Sequence, residues 1–280
     1  MNLHLQKQSH ISKLTKLLNY LLFERDKMLV VYYTKTPNIG DKLNETIAQH
    51  FLNREISNPP GAKYFNHYLM IGSLLEYMNQ RSTVWGSGFM SETAINRCND
   101  LGRILAIRGN KSKEQIEKKF GVRLECPVGD PALLTPLAIN IQGSSVKKYP
   151  IGFIPHYADR GHALEELIVK AGGLIIDVGL PPTQFIESLV KCEVIVSSSL
   201  HGLILSDAYC IPNIRIKISD KIVGGDFKFQ DYYSTTHNPD ADNDSIIAYD
   251  SLIKVEQILK TASIKKYKYD LNDLLNSRPN

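Results

Sequence analysis

Two histidines stand in turns that directly follow apolar, strand-like runs. One is His201, in Val194-Ile-Val-Ser-Ser-Ser-Leu-His-Gly202; the other is His156, in Ile151-Gly-Phe-Ile-Pro-His-Tyr157. Imidazole exchanges protons near neutral pH because its unperturbed pKa is ~6.5. A third polar turn, Asp177-Val178-Gly179, falls in the same half of the chain. The first half offers Asp41, in Asn38-Ile-Gly-Asp41, and Arg108, in Ile107-Arg-Gly109. A guanidinium there would fork onto a carboxylate or phosphate, or be an ordinary surface arginine. Asp41 reads equally as the N-cap of a helix running to about Leu52.

The elements that would carry these residues alternate. Strands are expected at Met28 to Tyr33, Tyr68 to Ile71, Thr83 to Phe89, Arg103 to Ile107, Ile151 to Ile154, Gly173 to Asp177, Val194 to Val196 and Ile214 to Ile218. Helices are expected between them, including one opened by a Ser112–Gln115 capping box, a short apolar one with Pro131 at N1 after a capping Asp130, and one running from the Ser197–His201 turn to Cys210. Residues 53–67 and 224–233 read as loops. Residues 139–150, polar and ending at Pro150, read as a linker. Helices over about 245–260 and 269–276 finish the chain. Strands alternating with helices imply parallel sheets. The fold class is therefore α/β, with two Rossmann-like domains, 1–145 and 146–280, facing each other across a cleft. Ligands bind such sheets at the carboxyl ends of the strands. The helix starting after Ser199 offers free N–H groups to an anion there.

Composition excludes several classes. A chain of 280 residues with 43% hydrophobic residues can bury a sizeable core, and its net charge of +4 does not mark a nucleic-acid binder. Cys98, Cys126, Cys192 and Cys210 form no CxxC pair, so no zinc site or disulfide framework is expected, and Cys192 and Cys210 sit in patterns that look buried. No metal-ligand constellation, P-loop or GxGxxG occurs. Residues 1–20 are too polar for a signal peptide, and no apolar run reaches the ~20 residues of a membrane span; a cytoplasmic location is expected. Residues 1–27 form an amphipathic helix with Lys7, Lys13 and Lys16 among its leucines. It either packs on the body of the protein or, through residues 7–23, rests on the inner membrane at its cytoplasmic face.

Six segments together resemble the polysaccharide pyruvyl transferases, especially the short members acting on bacterial exopolysaccharides. They are Asn38-Ile-Gly-Asp-Lys-Leu-Asn44, Val84-Trp-Gly-Ser-Gly88, Ile107-Arg-Gly109, Gly129-Asp-Pro-Ala-Leu-Leu134, Ile151-Gly-Phe-Ile-Pro-His-Tyr157 and Ser197-Ser-Ser-Leu-His-Gly-Leu-Ile204. The resemblance implies a GT-B-like arrangement and a reaction. Phosphoenolpyruvate donates a pyruvyl group that bridges two sugar hydroxyls as a cyclic ketal, with release of phosphate. It implies no cofactor and no metal, and an oligosaccharide or lipid-linked glycan as acceptor. His201 would be the general acid, and His156 or Asp41 the base. Arg108, Ser198, Ser199, Gly202 and Lys217 would bind the donor. Asn38, Gly40, Asn44, Gly86 and Ser87, with residues 224–237, would meet the acceptor. Many members carry an arginine where this chain has Ser199, so Lys217, Lys221, Arg215 or the backbone alone must hold the phosphate. Two other classes stay open: a GT-B glycosyltransferase holding a nucleotide sugar with Asp177 or Asp207, and a non-catalytic scaffold for glycan assembly.

Overall fold

The computed structural model describes residues 15, 17–141, 146–247, 258 and 260–280. Most of the expected N-terminal amphipathic segment (1–14 and 16), the middle of the expected linker and most of the helix expected over 245–260 lie outside them. Within this range the fold is α/β, built on parallel sheets.

The first half contributes β1 (Met28–Leu29), β2 (Ile56–Ser57), β3 (His67–Leu69), β4 (Ser82–Trp85) and β5 (Arg103–Ala106). β1 pairs with β2, and β3-β4-β5 form a second ladder, all parallel. A parallel bridge between Val30 and Tyr68 joins the two, giving the order β2-β1-β3-β4-β5. β2 lies in the stretch read as loop, because two residues are too short to show a period. The second half contributes β6 (Tyr149–Ile154), β7 (Leu174–Ile175), β8 (Cys192–Ser197), β9 (Asn213–Lys217) and β10 (Ile246–Ile247), ordered β10-β9-β8-β6-β7. Pro150 sits inside β6 rather than ending a linker. It is tolerated near the strand's start, where a proline's missing N–H does least damage.

Both sheets therefore have one doubly wound order. In each, the direction of winding reverses between the first and third strands, and ligands bind beside that reversal. In the first sheet this point lies between the ends of β1 and β3. In the second it lies between β6 and β8, whose ends carry His156 and Ser198.

Helix α1 (Ile39–Leu52) buries Ile39, Leu43, Ile47 and Ala48, a helical spacing. Its N-cap is Asn38, not Asp41: Asn38 Oδ1 accepts from Asp41 N at 3.1 Å. Helix α2 (Asn110–Phe120) starts after Gly109 without a side-chain cap of its own, so the Ser112–Gln115 box does not form. Instead a carboxylate from elsewhere takes its first turn: Asp231 accepts from Ser112 N and Oγ, both at 2.7 Å. A 3-10 turn, Pro131–Leu134, leads into α3 (Thr135–Ala138). The second sheet is flanked by α4 (Leu164–Lys170), α5 (Pro182–Leu189) and α6 (Leu200–Ala208). α6 ends in a turn that puts Cys210 at φ 56° and leaves it exposed, against the buried position read from its pattern. Cys98 and Cys192 are buried.

Residues 227–233 fold as a helix, α7 (Phe227–Tyr233), where a loop was expected. It buries Phe229, Tyr232 and Tyr233, and it supplies Asp231. The final helix α8 (Leu271–Asn276) lies against the first half: Trp85 Nε1 donates to Leu274 O at 3.1 Å. One apolar cluster takes Val30, Leu43 and Trp85 from the first half and Ile154, Leu203 and Phe229 from the second.

Arg108 and Asp231 bind these parts together. Both side chains are fully buried, and the guanidinium donates to Asp231 Oδ2 from Nε at 2.9 Å and lies 2.8 Å from it through Nη2. Removing one partner of such a pair strands a buried charge, at a cost of about 3–5 kcal/mol. Asp231→Ala is expected to lose that much stability in urea denaturation. Arg108→Met combined with Asp231→Leu should recover most of it.

Candidate functional site

Where the two sheets' reversal points approach each other, a cavity of about 460 Å³ opens. Tyr33, Asn38, Asp41 and Ser73 line it from the first half; His156, Ser199, His201 and Lys228 line it from the second. A shallower depression of about 560 Å³ between α2 and α7 is lined by Lys111, Glu114, Lys118 and Asp226 and contains neither histidine.

His201 stands on the first turn of α6, because β8 ends at Ser197 and Ser199 turns the chain into the helix. Its ring rests on Gly40. A methyl group on Gly40 would overlap Nδ1, Cε1 and Cγ of the imidazole, so the first turn of α1 needs a residue without a side chain here. On the other side, Nε2 lies 3.7 Å from Asp130 Oδ2. Neither atom has a hydrogen-bond partner among the described residues. Asp130 is fully buried, and its other oxygen caps the 3-10 turn by accepting from Ala132 N at 2.9 Å. Sequence reading saw only that cap. The second oxygen faces His201, so Asp130 can fix the orientation of the ring. The gap is long for a hydrogen bond, and such contacts often tighten only when substrate binds.

Asp41 reaches the cavity from α1. Its Oδ1 accepts from Tyr33 N at 2.9 Å, and its Oδ2 accepts from Asn38 Nδ2. Burial raises its pKa against these bonds, making it a stronger base than an exposed aspartate.

His156 N donates to Ser198 Oγ at 2.8 Å, which ties the ends of β6 and β8 together. The ring's Nδ1 accepts from Ala158 N at 3.2 Å. Nε2 therefore carries the proton in the neutral ring, and His156 is built as a donor.

The remaining expected residues divide into those at the wall and those behind it. Asn38 and Ser199 line the cavity. Asn44 is fully buried and bonds to Gly40 O and to both the N–H and the carbonyl of Ile71. Ser87 Oγ donates to Gly72 O at 2.8 Å and accepts from Leu74 N, holding the turn that carries Ser73. Gly86, at φ 91°, gives room to Pro131, and Gly202 gives room to Ser197 Oγ. Arg108 lies behind the wall and reaches it through Ser73 Oγ at 2.6 Å. Lys217 and Arg215 are held by Asp226 and Asp242, and Lys221 is exposed. Of the two aspartates weighed for a nucleotide sugar, Asp207 is occupied by Asn213, Tyr232 and Lys265. Asp177 pairs with Arg160 and Gly179 N.

Lys228 was absent from the sequence-based set because its segment read as loop. It is 6% exposed. Burial, with repulsion from Arg108 and Arg215, lowers its pKa to about 7. Among the described residues, no His, Cys, Asp or Glu side chains gather in a group of three or more that could hold a metal ion.

Burial, aided by the Lys228 charge, also lowers the His156 pKa to about 4. In the unfolded chain the ring takes up its proton at ~6.5. Stability from this residue is thus complete above pH ~6.5 and is lost as the pH falls through about 4. The gap corresponds to about 3 kcal/mol at the acid limit. His156→Asn, which keeps a side-chain acceptor for Ala158 N, is expected to flatten the stability–pH curve between those values. Urea titrations at stepped pH read this directly.

A family model described as polysaccharide pyruvyl transferase matches residues 53–220. The chain is 23% identical over 262 residues to the uncharacterized protein L143 of Acanthamoeba polyphaga mimivirus, covering 90% of this chain and 84% of that one. It is also 33% identical over 118 residues to the succinoglycan biosynthesis protein ExoV of Rhizobium meliloti (strain 1021), covering 42% of this chain and 36% of that protein. The family match contains Arg108, Asp130, His156 and His201; Asp41 and Lys228 lie outside it.

Proposed function

The chain belongs to the polysaccharide pyruvyl transferase family, and on that premise we propose that it transfers a pyruvyl group from phosphoenolpyruvate to a sugar of a bacterial surface polysaccharide or exopolysaccharide. The acceptor is a glycan, carried on a lipid as a precursor, and the product is a cyclic pyruvate ketal with release of phosphate. The observation that carries this reading is His201: its ring lies on Gly40, its Nε2 faces Asp130, and it shares a cavity with Asp41.

The chemistry assigns each a task. His201, as imidazolium beside the Asp130 carboxylate, protonates C3 of the enol ester. Nε2 is turned to Asp130, which leaves Nδ1 for the exchange. Electron demand at C2 draws in the first sugar hydroxyl, whose proton passes to Asp41. A second hydroxyl then forms its bond to C2 as the C2–O bond to phosphate breaks. The leaving phosphate takes up the second hydroxyl's proton. His156 donates from Nε2 to the donor's anionic oxygens, and the first turn of α6 presents its free N–H groups to the same charge. No cofactor or metal enters this scheme.

In this reading the two sheets are two Rossmann-like units opposed across the cavity, as in GT-B enzymes, with the acceptor on the side of residues 1–145 and the donor on that of 146–280. The enzyme works in the cytoplasm at the membrane's inner face. The exposed Leu18, Leu21, Leu22 and Phe23 give it an apolar edge for that surface, and among the described residues no helix is long and apolar enough to cross the bilayer.

The test is phosphate release from phosphoenolpyruvate across a panel of glycans bearing 1,2- and 1,3-diols, with the ketal product identified by mass spectrometry. His201→Gln is expected to lower turnover by about 10²–10⁴-fold with an unchanged Tm. Asp130→Asn should lower kcat with little change in KM. Acceptor-dependent release surviving in His201→Gln would remove the histidine from the acid role. A Tm raised by a nucleoside diphosphate but not by phosphoenolpyruvate would overturn the whole reading.

A further inference from the structure

Lys228 is a buried lysine with no carboxylate in ion-pair contact among the described residues. Its ammonium makes no hydrogen bond or ion pair with any described residue, and Nζ lies 5.3 Å from the centroid of the Phe229 ring. The neighbouring cations are matched: Arg108 to Asp231, Arg215 and Lys217 to Asp226 and Asp242. Asp159 attracts Lys228 only at a distance, and its Oδ1 accepts from Ser219 Oγ at 2.6 Å. A lysine whose stem is buried and whose ammonium has no ion-pair partner is held better as a cation when a counter-charge reaches it. The cavity is the open side from which one can come, and Lys228 shares that cavity with His156, Ser199 and His201.

We infer that Lys228 is the cation that receives the anionic end of the donor, in the space between its ammonium, His156 and the first turn of α6. This rests on the reading of phosphoenolpyruvate as donor and adds the group that holds it. Ser199, at the start of α6, brings a hydroxyl and no charge. The positive charge comes instead from a different element, α7, on the far side of the anion. The donor has two anionic ends, phosphate and carboxylate, and the shared chemistry is an oxyanion against an ammonium.

Calorimetric titration of the full chain with phosphoenolpyruvate tests this, using wild type, Lys228→Met and Lys228→Arg. Methionine removes the charge while filling the same space. It should leave Tm unchanged or raised, since a buried unpaired charge is lost. Affinity for phosphoenolpyruvate should fall about 10- to 100-fold, the worth of one charge-assisted hydrogen bond, and arginine should restore most of it. Competition by inorganic phosphate or by pyruvate that disappears in Lys228→Met identifies which end the lysine holds. Unchanged phosphoenolpyruvate affinity in Lys228→Met overturns this assignment and leaves the donor reading intact. Absence of binding in wild type overturns both. A large drop in Tm for the methionine variant, with affinity kept, marks Lys228 as structural and overturns the assignment as well.

Discussion

Two helices begin at the same place, and one imidazole ring fills the space between them. The first turn of α1 offers Gly40, and the ring of His201 on α6 occupies the space a β-carbon would need. Residues 161 positions apart (201 − 40) are fixed by that contact. Each helix follows a strand at the reversal point of its own sheet, so the contact also brings the two reversal points together. Lys42 Nζ, donating to Gly179 O, adds a hydrogen bond between the same two halves. The cavity is what remains between two matched sheets whose leading helices touch at one point.

Electrostatics around that point follow a simple pattern. Behind the wall, positive side chains are paired with carboxylates, and α7 is central to the arrangement. Its Asp231 caps α2 while holding Arg108. Its Tyr232 donates to Asp207 at 2.8 Å, and Asp207 also receives Lys265 N and Asn213 Nδ2. These bonds make the wall rigid, which is what a site needs in order to hold groups in a fixed geometry. At the wall itself the pairing stops: among the described residues, Asp130 Oδ2 and His201 Nε2 have no partner within hydrogen-bond range.

The sequence showed the alternation of strands and helices because apolar β-branched runs bounded by glycine, proline and serine have few other uses. It showed His156, His201 and Asp41 because each follows such a run. It did not show how far residues sit behind the wall. Asn44, Ser87 and Arg108 have the right types, but hydrogen bonds inside the protein use them up. Two other misses have local causes. Gly224 and Gly225 before Phe227 break any helical pattern, so α7 and Lys228 were hidden; a lysine in a polar stretch defaults to the surface. Asp130 announced itself as a cap in Gly129-Asp-Pro131, and one-dimensional reading assigns one role to a residue whose two oxygens face different ways.

The closing helix α8 has a consequence for how the chain is made. The indole N–H of Trp85, buried in the first half, finds its acceptor 189 residues later, on Leu274. A growing chain emerges N-terminus first, so the first sheet is exposed long before its lid arrives. Until then a large aromatic side chain and its polar N–H, on an inner strand of that sheet, lack their cover. The first half is therefore finished by a segment that follows the whole second half, which couples the folding of the two.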